Sequence, residues 1–217
     1  MMKTPTKPGL DFVYDLIHRC PSAALATHSV AAPGFPFATS VAIAPMRDHR
    51  PWMLISRLAE HRINLEADPR ASLHLIDPQA QEPMSAARTT LVGSAVRVEP
   101  SAQERARFLR YQPTMEPLLG LGDFAFFALD WTSSRAIGGF GRMGWVEADA
   151  APAAMTAEQE DALQAELAPL LDAQTQWLGC DAQGIDLLTA NGRARLVLPI
   201  NATVDQWRTA LRSATLR

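Results

Sequence analysis

Cysteine, lysine and long apolar runs are scarce in this 217-residue sequence. Its two cysteines, Cys20 and Cys180, are far apart and fit no CxxC pattern, which favours a reducing compartment over a disulfide scaffold. The only lysines are Lys3 and Lys7, so the body of the chain has no Schiff-base lysine. No apolar stretch is long enough to span a bilayer, and the start MMKTPTKPGL has no signal-peptide core. We expect a cytoplasmic protein that does not associate with membranes.

The charge distribution argues against nucleic acid as a partner. The formal net charge is −3 and the basic residues are spread along the chain, so the positive patch that binds phosphate backbones is missing. With 47% hydrophobic and 20% charged residues, the composition is that of a globular protein with one large domain, or one domain and a smaller one. Histidine, cysteine, aspartate and glutamate form no group with ligand spacing, so the sequence predicts no metal site.

Residues 53–77 read MLISRLAEHRINLEADPRASLHLID, and their pattern indicates an anion site. Ser56 and Arg57 end an apolar run, and His61 and Arg62 follow among helix-forming residues. The free N–H groups and the positive dipole end of a helix meet at such a junction. The predicted ligand of this site is a phosphate group. The alternatives are that Arg57 and Arg62 are solvated helix cations and that His61 serves helix packing.

Periodicity and turn signals divide the chain into two modules. Residues 8–148 contain most of the strands and resemble a barrel, 149–155 form an Ala- and Pro-rich linker, and 156–217 form a small α+β unit of helix, three strands and helix. The predicted strands of the first module are 22–28, 37–45, 52–56, 72–77, 88–99, 123–131, 133–139 and 144–148, with helices at 10–20, 57–67 and 101–111. The second module has helices at 156–171 and 203–215 and strands at 175–180, 185–190 and 193–200, with a hairpin turn at Asn191-Gly192.

Four segments resemble the FMN-binding split barrel related to pyridoxamine 5′-phosphate oxidase: GFPFATSVAIAP, LISRLAEHRINLEADPRASLHL, ARTTLVGSAVRV and RAIGGFGRMGWV. More narrowly, the chain is similar to the branch of haem-utilisation (HugZ-type) proteins, which often carry a small C-terminal domain. The resemblance implies a mainly β fold with helices, a split β-barrel followed by the small α+β domain. It also implies a homodimer that binds FMN at the subunit interface.

The resemblance assigns roles to particular residues. The phosphate is held at the strand-to-helix junction, small hydroxyls and amides of a neighbouring strand meet the flavin ring, and an arginine opens the strand ARTTLVG. The cofactor-binding residues implied are Thr39, Ser40, Ser56, Arg57, Arg62 and Arg88. Further ligand-pocket candidates are His61, Asn64 and Arg142. No residue is singled out as catalytic.

One glycine motif points elsewhere but lacks its context. Gly139-Phe-Gly141-Arg-Met-Gly144 is a literal GxGxxG, which binds dinucleotides only between a strand and a helix. Here WVEADAAPAA follows, with alanines and a proline in place of the helix. The Rossmann interpretation is therefore poor, and the resemblance implies that this stretch is a loop and strand edge close to the ligand pocket.

The histidine distribution departs from the haem-utilising relatives, which place a histidine in the C-terminal region. The five histidines here are His18, His28, His49, His61 and His74. Tyr111, Cys180 and methionines remain as axial ligands by type, and nothing singles one out. We therefore favour a flavin-dependent oxidoreductase that acts on a small-molecule substrate or electron acceptor. The alternatives are a haem-binding or haem-utilisation protein without flavin chemistry, and an inert flavin carrier.

Overall fold

The computed structural model describes residues 7–82, 84–139, 141–148, 154–200 and 202–214. An eight-stranded antiparallel sheet curls into a half barrel, and a three-stranded antiparallel sheet follows it. This confirms the predicted split barrel with a small α+β unit. The predicted linker at 149–155 lies mostly outside the described residues.

Five α-helices are described: α1 (Leu10–Arg19), α2 (Glu60–Ala67), α3 (Ala102–Tyr111), α4 (Ala157–Leu167) and α5 (Val204–Ala214). The first sheet contains β1 (Ser22–His28), β2 (Pro36–Ala42), β3 (Ala44–Pro45), β4 (Pro51–Ser56), β5 (Arg70–Ile76), β6 (Arg88–Val98), β7 (Phe124–Ile137) and β8 (Met143–Glu147). The second sheet contains β9 (Gln176–Asp181), β10 (Gly184–Thr189) and β11 (Gly192–Val197). Two 3₁₀ segments cover Pro113–Leu121 and Ala168–Leu170.

Strand β7 organises the first sheet, whose order is β2-β1-β5-β6-β7-β4-β3. One edge of β7 pairs with β6 along its length. The other edge is shared, because residues 124–128 pair with β4 and residues 133–137 pair with β8. The two strands predicted at 123–131 and 133–139 are therefore one strand that changes partners.

The barrel core depends on two periodicities. In β1, Ala23, Leu25 and Thr27 are buried while the residues between them face outward, as a strand with one covered face requires. Helix α1 covers that inner face with Val13, Leu16, Ile17 and its neighbours, so the helix predicted at 10–20 is confirmed and is amphipathic.

The C-terminal unit packs against the barrel through a buried hydrophobic cluster that both contribute to, and it also has a core of its own. Phe108 of α3, Phe126 of β7 and Leu178 of β9 belong to one buried cluster. A further cluster within the unit includes Trp177 and Trp207. The helices predicted to start at 101 and 156 are confirmed, and at each start Ser101 or Thr156 forms a complete capping box.

Several predicted boundaries are wrong. Helix α2 begins at Glu60 rather than 57, since residues 56–59 form a turn. The strand predicted at 37–45 is interrupted at Ile43. The residues between β10 and β11 are Ala190 and Asn191, because Gly192 already pairs with Thr189.

Candidate functional site

The turn between β4 and α2 is fixed by the residue that precedes β7. The Ser56 hydroxyl donates to Oδ2 of Asp123 at 2.9 Å and accepts from the amide of Leu58 at 3.1 Å. The amide of Arg57 donates to the carbonyl of Asp123 at 2.8 Å. Both hydrogen bonds of the Ser56 hydroxyl are therefore made within the chain, and they stabilise the backbone conformation of the turn between β4 and α2.

Arg57 and the start of α2 leave donors available at this junction. The Arg57 side chain is exposed, and none of the described residues forms an ion pair with it. The N-cap residue of α2 is Ala59, which offers no side-chain acceptor to the first helical amides. An uncapped helix start beside a guanidinium attracts an anion.

Arg62 is buried, with 6% of its surface exposed. Its Nε donates to Oε1 of Glu66 at 2.5 Å, and its guanidinium lies over the ring of Phe127 at 5.0 Å. Nη1 has no hydrogen-bond partner in the described part of the chain. The alternative that Arg62 is a solvated helix cation is therefore wrong, and a buried donor remains that needs an acceptor.

Asn64 and His61 differ in burial and in contacts. Asn64 is fully buried, accepts from the amide of Val30 at 2.9 Å and donates to Oγ1 of Thr27 at 3.0 Å. These hydrogen bonds connect α2 to β1 and to the loop after it, so Asn64 positions the helix. His61 is half-buried, and burial lowers the pKa of its imidazole.

Thr39 and Ser40 lie on opposite faces of β2. Thr39 pairs with Leu25 of the core, whereas Ser40 pairs with Ala24 and is exposed on the outer face. A flavin ring placed against one face of the sheet therefore contacts only one of these two side chains.

Arg88 and Arg142 lie at the other end of β7 from the junction. Arg88 pairs with Ile137, while Ser56 pairs with Phe124. Nη1 of Arg88 donates to the carbonyls of Met84 and Ala86 at 3.0 and 3.1 Å. Within a single chain, Arg88 therefore does not reach the predicted phosphate site.

The glycine motif belongs to a hairpin. Arg142 accepts through its carbonyl from the amide of Gly138 at 2.8 Å, which closes the turn between β7 and β8. Gly139 and Gly141 have φ angles of 110° and 75°, a region that glycine enters readily. Phe140 lies outside the described residues. The turn connects two antiparallel strands, so the Rossmann interpretation is excluded.

An open groove of about 560 Å³ runs over the outer face of the sheet, and the sequence motifs did not indicate it. Its lining comes mostly from small or polar residues of β1, β5 and β6, and it includes His28 and Arg70. The alternation of small outward-facing residues along β1 is the signal that could have found it.

A buried polar cluster between the barrel and the second sheet was also missed. Nδ1 of His18 lies 2.5 Å from Oδ2 of Asp186, and its Nε2 lies 3.0 Å from Nδ1 of His49. Arg195 donates to Oδ1 of both Asp181 and Asp186 at 2.8 Å. Five separate elements of the chain supply these residues, so no local spacing predicts the cluster.

Electrostatics fix the charge states in this cluster. Burial lowers the pKa of His49 to about 3, against the attraction of Asp181, so the imidazole is neutral at physiological pH. Burial by itself raises the pKa of Asp186, but His18 and Arg195 outweigh it and hold the pKa below its usual value. Asp186 is therefore a carboxylate inside the protein.

Comparison with known families identifies the first module. The family described as "CREG, beta-barrel", of the FMN-binding split-barrel clan, matches residues 12–151. No curated protein matches the chain. No helix in the described ranges has the length and apolar character needed to cross a membrane.

Two solved structures resemble nearly the whole chain, and a third resembles about two thirds of it. A protein of unknown function from Agrobacterium tumefaciens has a TM-score of 0.72 and 24% identity, with 94% of this chain and 93% of that chain covered. A heme binding protein from Mycobacterium smegmatis has a TM-score of 0.62 and 27% identity, with 95% of each chain covered. ChuZ of Campylobacter jejuni has a TM-score of 0.54 and 18% identity, with 68% of this chain and 61% of ChuZ covered.

Proposed function

Because this chain belongs to the CREG β-barrel family, we propose that it binds FMN and acts as a flavin-dependent oxidoreductase. The observation that carries the proposal is the β4–α2 junction, where the exposed Arg57 lies beside the uncapped start of α2. FMN carries a phosphate that is close to a dianion at neutral pH, and charge-assisted bonds from arginine suit it. FMN supplies the redox chemistry when bound.

The chain's own residues divide the binding task. Arg57 and the first amides of α2 hold the phosphate, and the buried Nη1 of Arg62 supplies a donor without a partner among the described residues. Ser56 and Asn64 keep the junction in place through their bonds to Asp123 and Thr27. No acid–base pair at the junction specifies a substrate, so the electron donor and acceptor are left open.

A homodimer completes the proposed site. The outer face of the first sheet carries one row of residues in register across six strands: Ser40, Ala24, His74, Thr90, Arg135 and Trp145. Trp145 is 51% exposed, and Val92 and Ile76 on the same sheet are also exposed. Such a face suits a two-fold interface with a second copy. Arg88 and Arg142 lie at the end of β7 that is far from the β4–α2 junction. We propose that in the dimer these two arginines reach the FMN bound at the junction of the other subunit.

The proposed location is the cytoplasm. Cys20 and Cys180 are both free and buried, as expected for a chain that folds in a reducing compartment.

Haem binding is the second candidate function. It is supported by the likeness to the heme binding protein from M. smegmatis and by the exposed His28 in the lining of the outer groove. An accessible imidazole is a common axial ligand of haem iron. Tyr111 and Cys180, which are ligands by residue type, are buried and therefore poorly placed to reach haem iron.

Absorption titrations of the purified protein with FMN and with haemin distinguish the two candidates. The flavin proposal predicts saturable binding of one FMN per chain, and NAD(P)H-dependent reduction of an added acceptor by the loaded protein. The His28→Ala variant should bind FMN as the parent does. A tight Soret-band complex that is lost in His28→Ala, without saturable FMN binding, would establish the second candidate instead. FMN binding without turnover would leave a flavin carrier.

A further inference from the structure

Three metal-ligating side chains converge between the barrel and the second sheet. His18 lies on α1, His49 in the turn between β3 and β4, and Asp181 at the end of β9, and all three are buried. We propose that they bind one divalent transition-metal ion. Two imidazoles and one carboxylate match Zn²⁺ best, since the set contains no thiolate and offers nitrogen and oxygen donors.

The separations of the ligand atoms fit a metal ion. Nε2 of His18 lies 3.0 Å from Nδ1 of His49 and 3.5 Å from Oδ2 of Asp181. The remaining pair, Nδ1 of His49 and Oδ2 of Asp181, is 4.0 Å apart. The point equidistant from atoms so arranged is about 2.1 Å from each, within the usual range of Zn–N and Zn–O bonds, about 2.0–2.2 Å. Little movement is needed to hold one ion.

Asp181 supplies an oxygen that the protein leaves unsatisfied. Its Oδ1 accepts from Arg195 at 2.8 Å and from the amide of Gln183 at 2.8 Å. Oδ2 is buried and has no hydrogen-bond partner among the described residues. An unpaired buried carboxylate oxygen is costly, and a cation between Oδ2 and the two imidazoles removes that cost.

The surroundings of His18 are those of a metal ligand. Nδ1 of His18 lies 2.5 Å from the carboxylate of Asp186 and 3.0 Å from Nη1 of Arg195. A proton on Nδ1 that is donated to the nearer carboxylate leaves the lone pair of Nε2 free. Ligating histidines usually bond a carboxylate in this way through their second nitrogen. Tyr14 stacks on the His49 ring at 3.8 Å, which fixes the orientation of the second imidazole.

The backbone at His49 supports a specific placement of its ring. Its φ angle of 61° is the only positive value for a non-glycine residue in the part of the chain that the structure describes. Residues in the left-handed region are uncommon, and their strain is concentrated at functional positions. The turn accepts this conformation while it directs His49 toward His18.

A proton is the competing occupant. Arg195 is the only guanidinium among the described residues that pairs with both Asp181 and Asp186, so one negative charge remains for a cation to balance. A proton shared by His18 and His49 balances that charge, yet it leaves Oδ2 of Asp181 3.5 Å from Nε2 without a hydrogen bond. The metal satisfies all three atoms together.

Titration with Co²⁺ and Zn²⁺ tests the proposal. The 217-residue protein is first treated with a chelator and dialysed. The parent should bind one Co²⁺ per chain with a d–d absorption spectrum, and Zn²⁺ should displace it. At a hundredfold excess over its Kd, Zn²⁺ should raise Tm by about 5–10 °C. FMN affinity is measured separately, so failure here does not bear on the flavin proposal.

His49→Gln should lose the Co²⁺ spectrum and the Zn²⁺ shift in Tm, while the matched control His28→Gln should keep both. Equal Co²⁺ binding by His49→Gln and the parent would overturn the proposal. So would a folded parent that binds no Co²⁺ at 100-fold excess, and this result decides the matter even if His49→Gln fails to fold.

Discussion

Arg107 and Glu160 form an ion pair, 2.5 Å from Nη1 to Oε1, that is buried between α3 and α4. Glu160 also pairs with Arg110 at 2.6 Å and Arg47 at 2.7 Å. One carboxylate therefore holds three guanidiniums where the C-terminal unit meets the barrel.

Glu160→Ala should lower the free energy of unfolding by roughly 3–5 kcal/mol, because removal of one member of a buried pair leaves uncompensated charge. Glu166→Ala, on the same helix, is the matched control. Glu166 is 45% exposed and pairs with Arg208 at the surface, so its loss should change stability by less than about 1 kcal/mol. Urea denaturation of both variants measures this, and equal effects would contradict the buried pair.

Asn64→Ala should loosen the loop after β1. The variant removes the acceptor of the Val30 amide and the donor to Thr27, which costs about 1–3 kcal/mol when buried partners are left unpaired. Hydrogen exchange should accelerate at Val30, while the amides of β6 stay protected. Unchanged exchange at Val30 would show that Asn64 does not position α2.

Gly93→Ala should destabilise the sheet. A Cβ at this position would lie 2.1 Å from the carbonyl oxygen of Asp130 and 2.5 Å from Cα of Trp131, at the irregularity where β6 pairs with β7. The backbone must shift, and overpacking of this kind costs about 1–3 kcal/mol. Gly120→Ala, which meets no atom within 4 Å, is the control. Thermal melts that rank the two variants in the opposite order would refute the close approach.

Both thiols should be unreactive in the folded protein. Burial raises the pKa of Cys20 to about 12 and also raises that of Cys180 above its usual value. Raised pKa values keep the thiols protonated at pH 8, and the thiolate is the reactive form. A thiol reagent should label neither cysteine in the native protein and both after denaturation. Rapid labelling of the native protein would contradict their burial.

Local signals in the sequence predicted much of the fold. The capping pairs at Ser101 and Thr156, the periodicity of α1 and the alternation in β1 each act within a few residues, so they are readable without a structure. The start of α2 was misplaced because the turn at Ser56 depends on Asp123, which is distant in sequence. Burial of Arg62 under Phe127 is likewise a tertiary effect.

The candidate sites also divide into features that local sequence signals predict and features that depend on tertiary contacts. The junction at Arg57 was predicted because a strand and a helix adjoin there in sequence. The cluster of His18, His49 and Asp181 could not be predicted, since its members come together only when the second sheet packs on the barrel. Arg88 and Ser56 pair with opposite ends of β7, and this separation also depends on strand register, which the sequence did not predict.

The most direct test of the flavin proposal compares FMN with riboflavin, which lacks the phosphate, in the parent and in Arg57→Ala. Hydrogen bonds to charged groups contribute about 1.5–3 kcal/mol, so the variant should bind FMN roughly ten- to a hundredfold more weakly. Riboflavin should bind both proteins equally, and Arg105→Ala, an exposed arginine of α3, should match the parent for both ligands. Fluorescence titration of the apo-protein measures all six affinities. Equal FMN affinity in the parent and Arg57→Ala would contradict the phosphate site at the β4–α2 junction.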